Sequence, residues 1–399
     1  MKPETYRWRI VALLFFATSI NYIDRQVLGL LKPYIAEDLR WGEAEYGYIV
    51  SAFQLAYALG LLVSGRLLDR FGNKLAYACA VALWSLAGMG HALARSVVGF
   101  GVARFALGMG ESANFPAAIK AVAEWFPRKE RALATGIFNS GSNVGAIAAP
   151  VIVAGITITY GWRWAFVITG LLGFAWIVLW LLAYRRPPQP AEAPAGAKAL
   201  PWRAIVGRRS TLAICLARLV TDWVWWMLLF WAPDFLYKAH GVDLKQSVLP
   251  LIVIYSVSSV GGIGGGWLSS HLVRTGRSVD FARKTSILLC GLLALSLLFV
   301  TSAGSLWVAV ALLSAVAAAH QAWASNIYTV VSDIFPSNAV ASVTGLAGFT
   351  GSIFGVLAAS AVGWVLELTG SYFLIFAIAG ATYLLAWGIL KVMIPRIGE

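Results

Sequence analysis

Apolar residues run almost unbroken through twelve stretches of this chain, at about 9–32, 45–67, 75–94, 97–123, 132–155, 162–184, 211–237, 247–271, 284–303, 305–331, 340–366 and 371–394. Short clusters of glycine, proline and charged residues separate them. A run of about 20 apolar residues is as long as a helix that crosses a bilayer, where every backbone polar group must be bonded within its own segment. The pattern therefore predicts an all-α integral membrane protein with twelve transmembrane helices. Against that background the polar exceptions stand out: Asp24, Arg25, Arg104, Glu111, Arg218 and Asp222 all lie inside apolar runs. A charge near the bilayer centre costs roughly 2.5–3.5 kcal/mol on insertion scales, so such groups line a polar path or pair with one another.

The runs fall into two sets of six. Between them lies 185–209, which begins RRPPQPAEAPAGAKALP, a composition that favours an extended linker. The expected organisation is a six-helix bundle at 1–184, a cytoplasmic linker at 185–209 and a second six-helix bundle at 210–399. The halves echo each other. Phe126-Pro127 is followed nine residues later by Gly136, and Phe335-Pro336 nine residues later by Gly345, an offset of 209 in both places. After each proline comes a helix rich in small residues, with Gly136, Gly141 and Gly145 in one and Gly345, Gly348, Gly351 and Gly355 in the other. Small residues let membrane helices approach closely, and two six-helix repeats around a midplane site are a transporter plan.

Composition sharpens the membrane reading. Apolar side chains make up 59% of the 399 residues and charged ones only 12%, against roughly 45–50% apolar in soluble domains. The net charge of +13 would suggest nucleic acid in a soluble protein, but its distribution points elsewhere. Of 31 Lys and Arg, 22 fall on the side that holds both termini and 6 on the other, so the termini are expected in the cytoplasm. Cys79, Cys215 and Cys290 lie in apolar runs without paired spacing, as packing residues would. The first run is long enough to span and has no cleavage site behind it, so it is expected to remain as the first helix. No G-x-x-x-x-G-K-[ST] occurs, which argues against a nucleotide-driven pump. Four histidines, with only His320 well inside a span, are poor material for a membrane enzyme.

Residues 65–74 read GRLLDRFGNK between the second and third spans, and a degenerate copy, GGWLSSHLVRTGR, occupies 265–277. The first resembles the loop signature of the major facilitator superfamily, with Gly65, Asp69, Arg70, Gly72 and Lys74 in order and Asn73 in place of the usual basic residue. The resemblance implies that this loop helps hold a cytoplasmic gate. By chemistry alone, Asp69 can cap or pair with a neighbouring helix end while Arg70 and Lys74 stay at the lipid surface. Further stretches narrow the likeness: NYIDRQ at 21–26, RFALGMGESANFPAAIKAVAEWFP at 104–127, ERALATGIFNSGSNVGA at 130–146, TDWVWWMLLFWAP at 221–233 and AHQAWASNIYTVVSDIFP at 319–336. Together they are similar to the anion:cation symporter branch, and most to its bacterial hexuronate transporters.

At 1.5 Å per residue, Asp24 and Arg25 lie ~24 Å above the start of the first span and Arg104 lies ~10 Å below the outer start of the fourth, at similar depth. Arg104 and Glu111 are seven apart and share a helix face, which Asn114 continues. An arginine fork suits a carboxylate, so Arg25 and Arg104 form the expected clamp for a sugar acid. Salt bridges of Arg25 with Asp24 or another helix, and of Arg104 with Glu111, stand as structural alternatives. The resemblance implies that Arg25 and Arg104 contact substrate carboxylate, that Asp24 and Glu111 take up the coupling proton, and that Tyr22, Tyr57 and Ser142 bind polyol hydroxyls. Asn139, Trp226, Gln321, Ser325, Asn326 and Tyr328 complete the candidate substrate-binding set. Trp225 and Trp226 can stack on a pyranose ring or pack; Arg218 and Asp222 are placed for an i, i+4 ion pair or as direct ligands, and His320 for a core position or a proton relay. The function expected is proton-coupled uptake of a hexuronate such as glucuronate or galacturonate in a bacterial inner membrane by a monomer, with no cofactor beyond the proton. An aldonate or aldarate symporter, an anion exchanger and a non-transporting membrane sensor are the rivals.

Overall fold

The computed structural model describes residues 3–41, 43–185, 200–241 and 248–397, so most of the expected linker lies outside the described residues. The chain folds into helices α1 (Pro3–Leu39), α2 (Glu43–Phe71), α3 (Asn73–Gly90), α4 (Val97–Glu111), α5 (Asn114–Trp125), α6 (Arg128–Tyr160), α7 (Trp162–Ala183), a short α8 (Trp202–Val206), α9 (Arg209–His240), α10 (Val248–Arg274), α11 (Val279–Ala294), α12 (Leu306–Ile334), α13 (Ser337–Thr369) and α14 (Phe373–Met393). Tight 3₁₀ turns follow α3 at His91–Leu93 and α11 at Leu295–Ser302. Among the described residues each of the twelve apolar runs falls mainly on helix, and nine stretches are long and apolar enough to cross a membrane.

Local chemistry explains where the helices start and stop. Ser96 and Ser305, 209 residues apart, cap α4 and α12 by accepting the backbone N–H of Gly99 and Val308. Gly72 joins α2 to α3 at φ +83°, a backbone region that side chains with a Cβ resist. The fourth run, expected as one helix, divides into α4 and α5 at Ser112-Ala113. Pro116 accounts for the division, because it has no N–H to donate to the carbonyl one turn back.

The helices gather into two compact units. Unit 1 comprises Met1–Trp125, Gly141–Ala199 and Ser337–Gly345; unit 2 comprises Phe126–Ser140, Leu200–Pro336 and Leu346–Glu399. Unit 1 is built on α2 against α4, α3 against α7 and α1 against α7. Its core includes Val27, Leu31, Ile35, Ile49, Phe100, Val153 and Phe166. Unit 2 packs α10 against α12 and α9 against α14. The small residues of α6 and α13 serve different neighbours along each helix. Gly136 abuts the backbone of Gly262 within unit 2, while Gly141 and Gly145 abut Phe15 and Ser19 of α1 within unit 1. Gly345 meets Leu61 of α2 within unit 1, while Gly351 and Gly355 meet Asp222 and Trp226 of α9 within unit 2. Cys215 and Cys290 are buried as packing residues; Cys79 is exposed on α3.

Candidate functional site

The intramembrane charges of unit 1 converge on Arg25. Its Nε donates to Glu111 Oε2 at 3.0 Å, with Nη2 equally close to the same oxygen, and Nη2 also donates to Asn21 Oδ1 at 3.3 Å. The guanidinium lies over the rings of Tyr22 and Tyr57, 4.8 Å from each centroid, and 5.2 Å from that of Phe53. Such faces attract a cation through the ring quadrupole. Arg104, carried beside Glu111 on α4, donates from Nη2 to the backbone carbonyl of Arg25 at 2.8 Å and stacks over Phe53 at 5.1 Å. Of the salt bridges open to Arg25 from sequence, the structure forms the one to another helix. That contact joins residues 86 apart.

Asp24 points elsewhere. Successive helical residues project about 100° apart, and neither carboxylate oxygen of Asp24 has a hydrogen-bond partner, though it is 3% exposed. It faces Thr169 of α7, within reach of the charges of Arg104 and Glu111. Adjacency in sequence had grouped Asp24 with Arg25; the helix separates them.

Below Glu111 the polar stripe continues inside unit 1. Tyr77 donates to Asn114 Oδ1 at 2.5 Å, and Asn114 Nδ2 donates to Thr18 Oγ1 at 3.2 Å. In the 65–74 loop signature, Asp69 accepts the ammonium of Lys120 at 2.9 Å and the backbone N–H of Ser342 at 2.7 Å. Gly65 lies against the backbone of Ala341, where a Cβ would not fit. Arg70 rests on the ring of its neighbour Phe71 and the Lys74 carbonyl accepts the Trp180 indole N–H at 3.0 Å. Ser142 is buried within the same unit.

Unit 2 holds the remaining candidates. Arg218 donates to Asp222 at 2.6 Å and to Tyr328 Oη at 3.4 Å, forming the i, i+4 pair expected on α9. Asn139 donates to Gln321 Oε1 at 2.6 Å. Ser325 donates to the carbonyls of Gly262 and Gln321, and Asn326 to those of Gly265 and Ala322, so both fasten α12 to α10. Trp226 lies over Gly355 beside a cavity also lined by Trp223, Met227 and Trp231. Trp225 stacks on His320 at 5.2 Å, and His320 Nδ1 pairs with Tyr383 Oη at 2.7 Å, which gives that histidine a satisfied core position.

Sequence reasoning passed over one ionic cluster. Asp333 accepts Arg283 Nε at 2.8 Å and Arg131 Nη1 at 3.3 Å, all buried within unit 2. Arg283 also donates to Ser269 Oγ and to the Arg128 carbonyl, and Arg131 to the carbonyls of Phe126 and Ser332. Their place at the ends of apolar runs made the basic residues look like ordinary surface anchors. The available signal was the acid, Asp333, at the same repeat offset from Glu124.

Comparison with known proteins bears on this arrangement. The sequence profile of the Major Facilitator Superfamily matches residues 14–359. The hexuronate transporter of Escherichia coli (strain K12) is 31% identical, covering 98% of this chain and 95% of that protein. The galacturonate transporter of Dickeya chrysanthemi is 34% identical over 67% of this chain and 82% of its own length. Among solved structures, the proton:xylose symporter XylE bound to 6-bromo-6-deoxy-D-glucose superposes with a TM-score of 0.76 at 13% identity, covering 99% of this chain and 97% of that one; at that identity the likeness is one of fold.

Proposed function

The chain belongs to the major facilitator superfamily, and on that premise we propose that it carries a sugar acid, a hexuronate such as glucuronate or galacturonate, into the cell together with protons by alternating access. The observation that carries the reading is the state of Arg25. Its guanidinium is 16% exposed and is bonded to Glu111, whose side chain is fully buried. An anion that takes the Arg25 fork leaves that carboxylate buried without its cation, and an unpaired buried charge is costly enough to favour the neutral form. Substrate binding at Arg25 and protonation of Glu111 are thereby coupled. The tyrosine rings beside the guanidinium suit the polyol portion of the ligand, and Arg104 steadies the α1 backbone and offers further donors to the anion.

In this reading both termini are cytoplasmic, the membrane is the bacterial inner membrane, the monomer transports, and the proton is the only coupling ion. Relatives named for hexuronate and for galacturonate support the substrate class. Purified protein in proteoliposomes with an acidic exterior should accumulate labelled glucuronate or galacturonate. Accumulation of galactonate or glucarate alone would favour the aldonate or aldarate alternative. Uptake that requires internal anion and ignores the pH difference would make it an exchanger, and binding without flux a sensor.

A further inference from the structure

Beside Arg25, two buried side chains each keep one hydrogen-bonding atom unused. Arg25 Nη2 donates to Glu111 Oε2 at 3.0 Å and to Asn21 Oδ1 at 3.3 Å, so a carboxylate and a carboxamide share one nitrogen. Asn21 and Glu111 are both fully buried. The atom of Asn21 that meets the guanidinium is its oxygen, because arginine only donates. That leaves Asn21 Nδ2, a donor, and Glu111 Oε1, an acceptor, each without a partner.

The surrounding bonds hold these two groups opposite each other. Thr18, Asn21 and Arg25 are three and four residues apart on one face of α1. Thr18 Oγ1 accepts Asn114 Nδ2 at 3.2 Å and Arg25 reaches Glu111, so the line from Glu111 to Asn114 is fastened to α1 on both sides of Asn21. Asn114 is occupied by Tyr77 and Thr18 and does not compete for Glu111. The charged groups that act on Glu111 are Arg25 and Asp24 of α1 and Arg104 of its own helix, and Tyr22 is the titratable hydroxyl of α1 that feels its charge. From the other neighbouring helices, α2 brings Tyr57 to the Arg25 guanidinium and α3 brings Tyr77 to Asn114.

A neutral carboxylic acid has one O–H donor and a carbonyl acceptor, and a carboxamide has N–H donors and a carbonyl acceptor. Side by side, the two form a pair of hydrogen bonds. An ionised carboxylate only accepts, so it takes one bond from the amide N–H and sets its other oxygen against the amide oxygen. Asn21 therefore distinguishes the two protonation states of Glu111 once the cation between them has left.

We propose that Asn21 is the partner of protonated Glu111: when the substrate anion draws Arg25 away, the Glu111 O–H donates to Asn21 Oδ1 and Asn21 Nδ2 donates to the other carboxyl oxygen. The inference rests on the proton-coupled reading above and names the contact that replaces the Arg25 ion pair. The coupling proton comes from water, forms an O–H bond on the oxygen that Arg25 vacates, and returns to water after the carrier has turned inward; no other covalent bond changes. Once the proton has gone, two oxygens oppose each other, which favours the return of Arg25 and the release of substrate. Asn21 is a positioning residue, in contact with Glu111 and Arg25 and not with the substrate.

Infrared difference spectra of the purified protein in liposomes, taken on adding glucuronate or galacturonate at acidic pH, test this. A protonated carboxyl band should appear, vanish in Glu111→Gln, and move to higher frequency in Asn21→Leu, where the carbonyl has lost its N–H donor. Asn21→Ser, which asks less of the packing, should move it in the same direction. By calorimetric titration, Asn21→Leu should weaken sugar-acid binding about fivefold at acidic pH, the worth of one net hydrogen bond. At alkaline pH, where Glu111 is ionised, affinity should stay at the wild-type value, because the variant loses one bond in the free carrier and one in the loaded carrier. A band that keeps its frequency in both Asn21 variants, or an equal loss of affinity at both pH values, overturns the proposal and leaves coupling at Glu111 intact. Absence of the band in a wild-type protein that concentrates a sugar acid takes the coupling proton off Glu111 and overturns both. A wild-type protein that neither binds nor moves a sugar acid overturns the proposed function, and the Asn21 pairing with it.

Discussion

At the scale of single residues, the chemistry turns on which charges have partners. Lysine keeps the charge of arginine but loses the planar fork, so Arg25→Lys should weaken sugar-acid binding at least about tenfold, as should Arg104→Lys, by calorimetric titration of the purified protein. Near-wild-type affinity in both would remove the pair from the anion clamp. Gly351 gives a different kind of prediction. A Cβ there would overlap the Asp222 carboxylate, so Gly351→Ala should destabilise by about 1–3 kcal/mol, the usual cost of overpacking, read as a fall in Tm. The types of these residues were legible in the sequence, because a charge in an apolar run announces itself. Their partners were not: the Arg25 to Glu111 contact joins two helices, and no spacing along either one specifies it.

At the scale of helices, legibility was greatest where periodic apolar runs are long and least where backbone bonding changes inside a run. The fourth run reads as continuous, yet Pro116 opens it so that Glu111 is the last residue of α4. Pro116→Ala restores a donor toward the Ser112 carbonyl, so the amides from 112 to 115 should exchange with deuterium more slowly. Unchanged exchange there would show that tertiary packing, and not the proline, ends α4. The repeat adds a contrast. At the offset of 209, Glu111 corresponds to His320, which sits in an unbroken α12 and is bonded to Tyr383. One half keeps a carboxylate at the break, and the other a satisfied imidazole in a continuous helix. The small residues after each Phe-Pro were readable as contact positions, but not that Gly136 and Gly345 would serve different units from the glycines that follow them.

At the scale of the whole molecule, net uptake requires the carboxylates to change protonation, whereas exchange needs only the loaded carrier to reorient. Glu111→Gln, which mimics the neutral acid, should therefore abolish pH-driven accumulation and preserve counterflow in proteoliposomes. Accumulation by this variant would move the coupling site elsewhere. A cysteine introduced within 186–200 should react with an impermeant maleimide only in inside-out vesicles, and labelling in intact cells would invert the topology. The Arg131 to Asp333 contact carries a consequence for synthesis. Its partners are 202 residues apart, so during translation Arg131 enters the membrane boundary long before its carboxylate exists. The ribosome must finish α12 before that cation meets its carboxylate. Until then the start of α6 is held by contacts within its own half, Arg131 Nε on the Phe126 carbonyl and Gly141 and Gly145 against α1, so this charge pairing is left to late in synthesis.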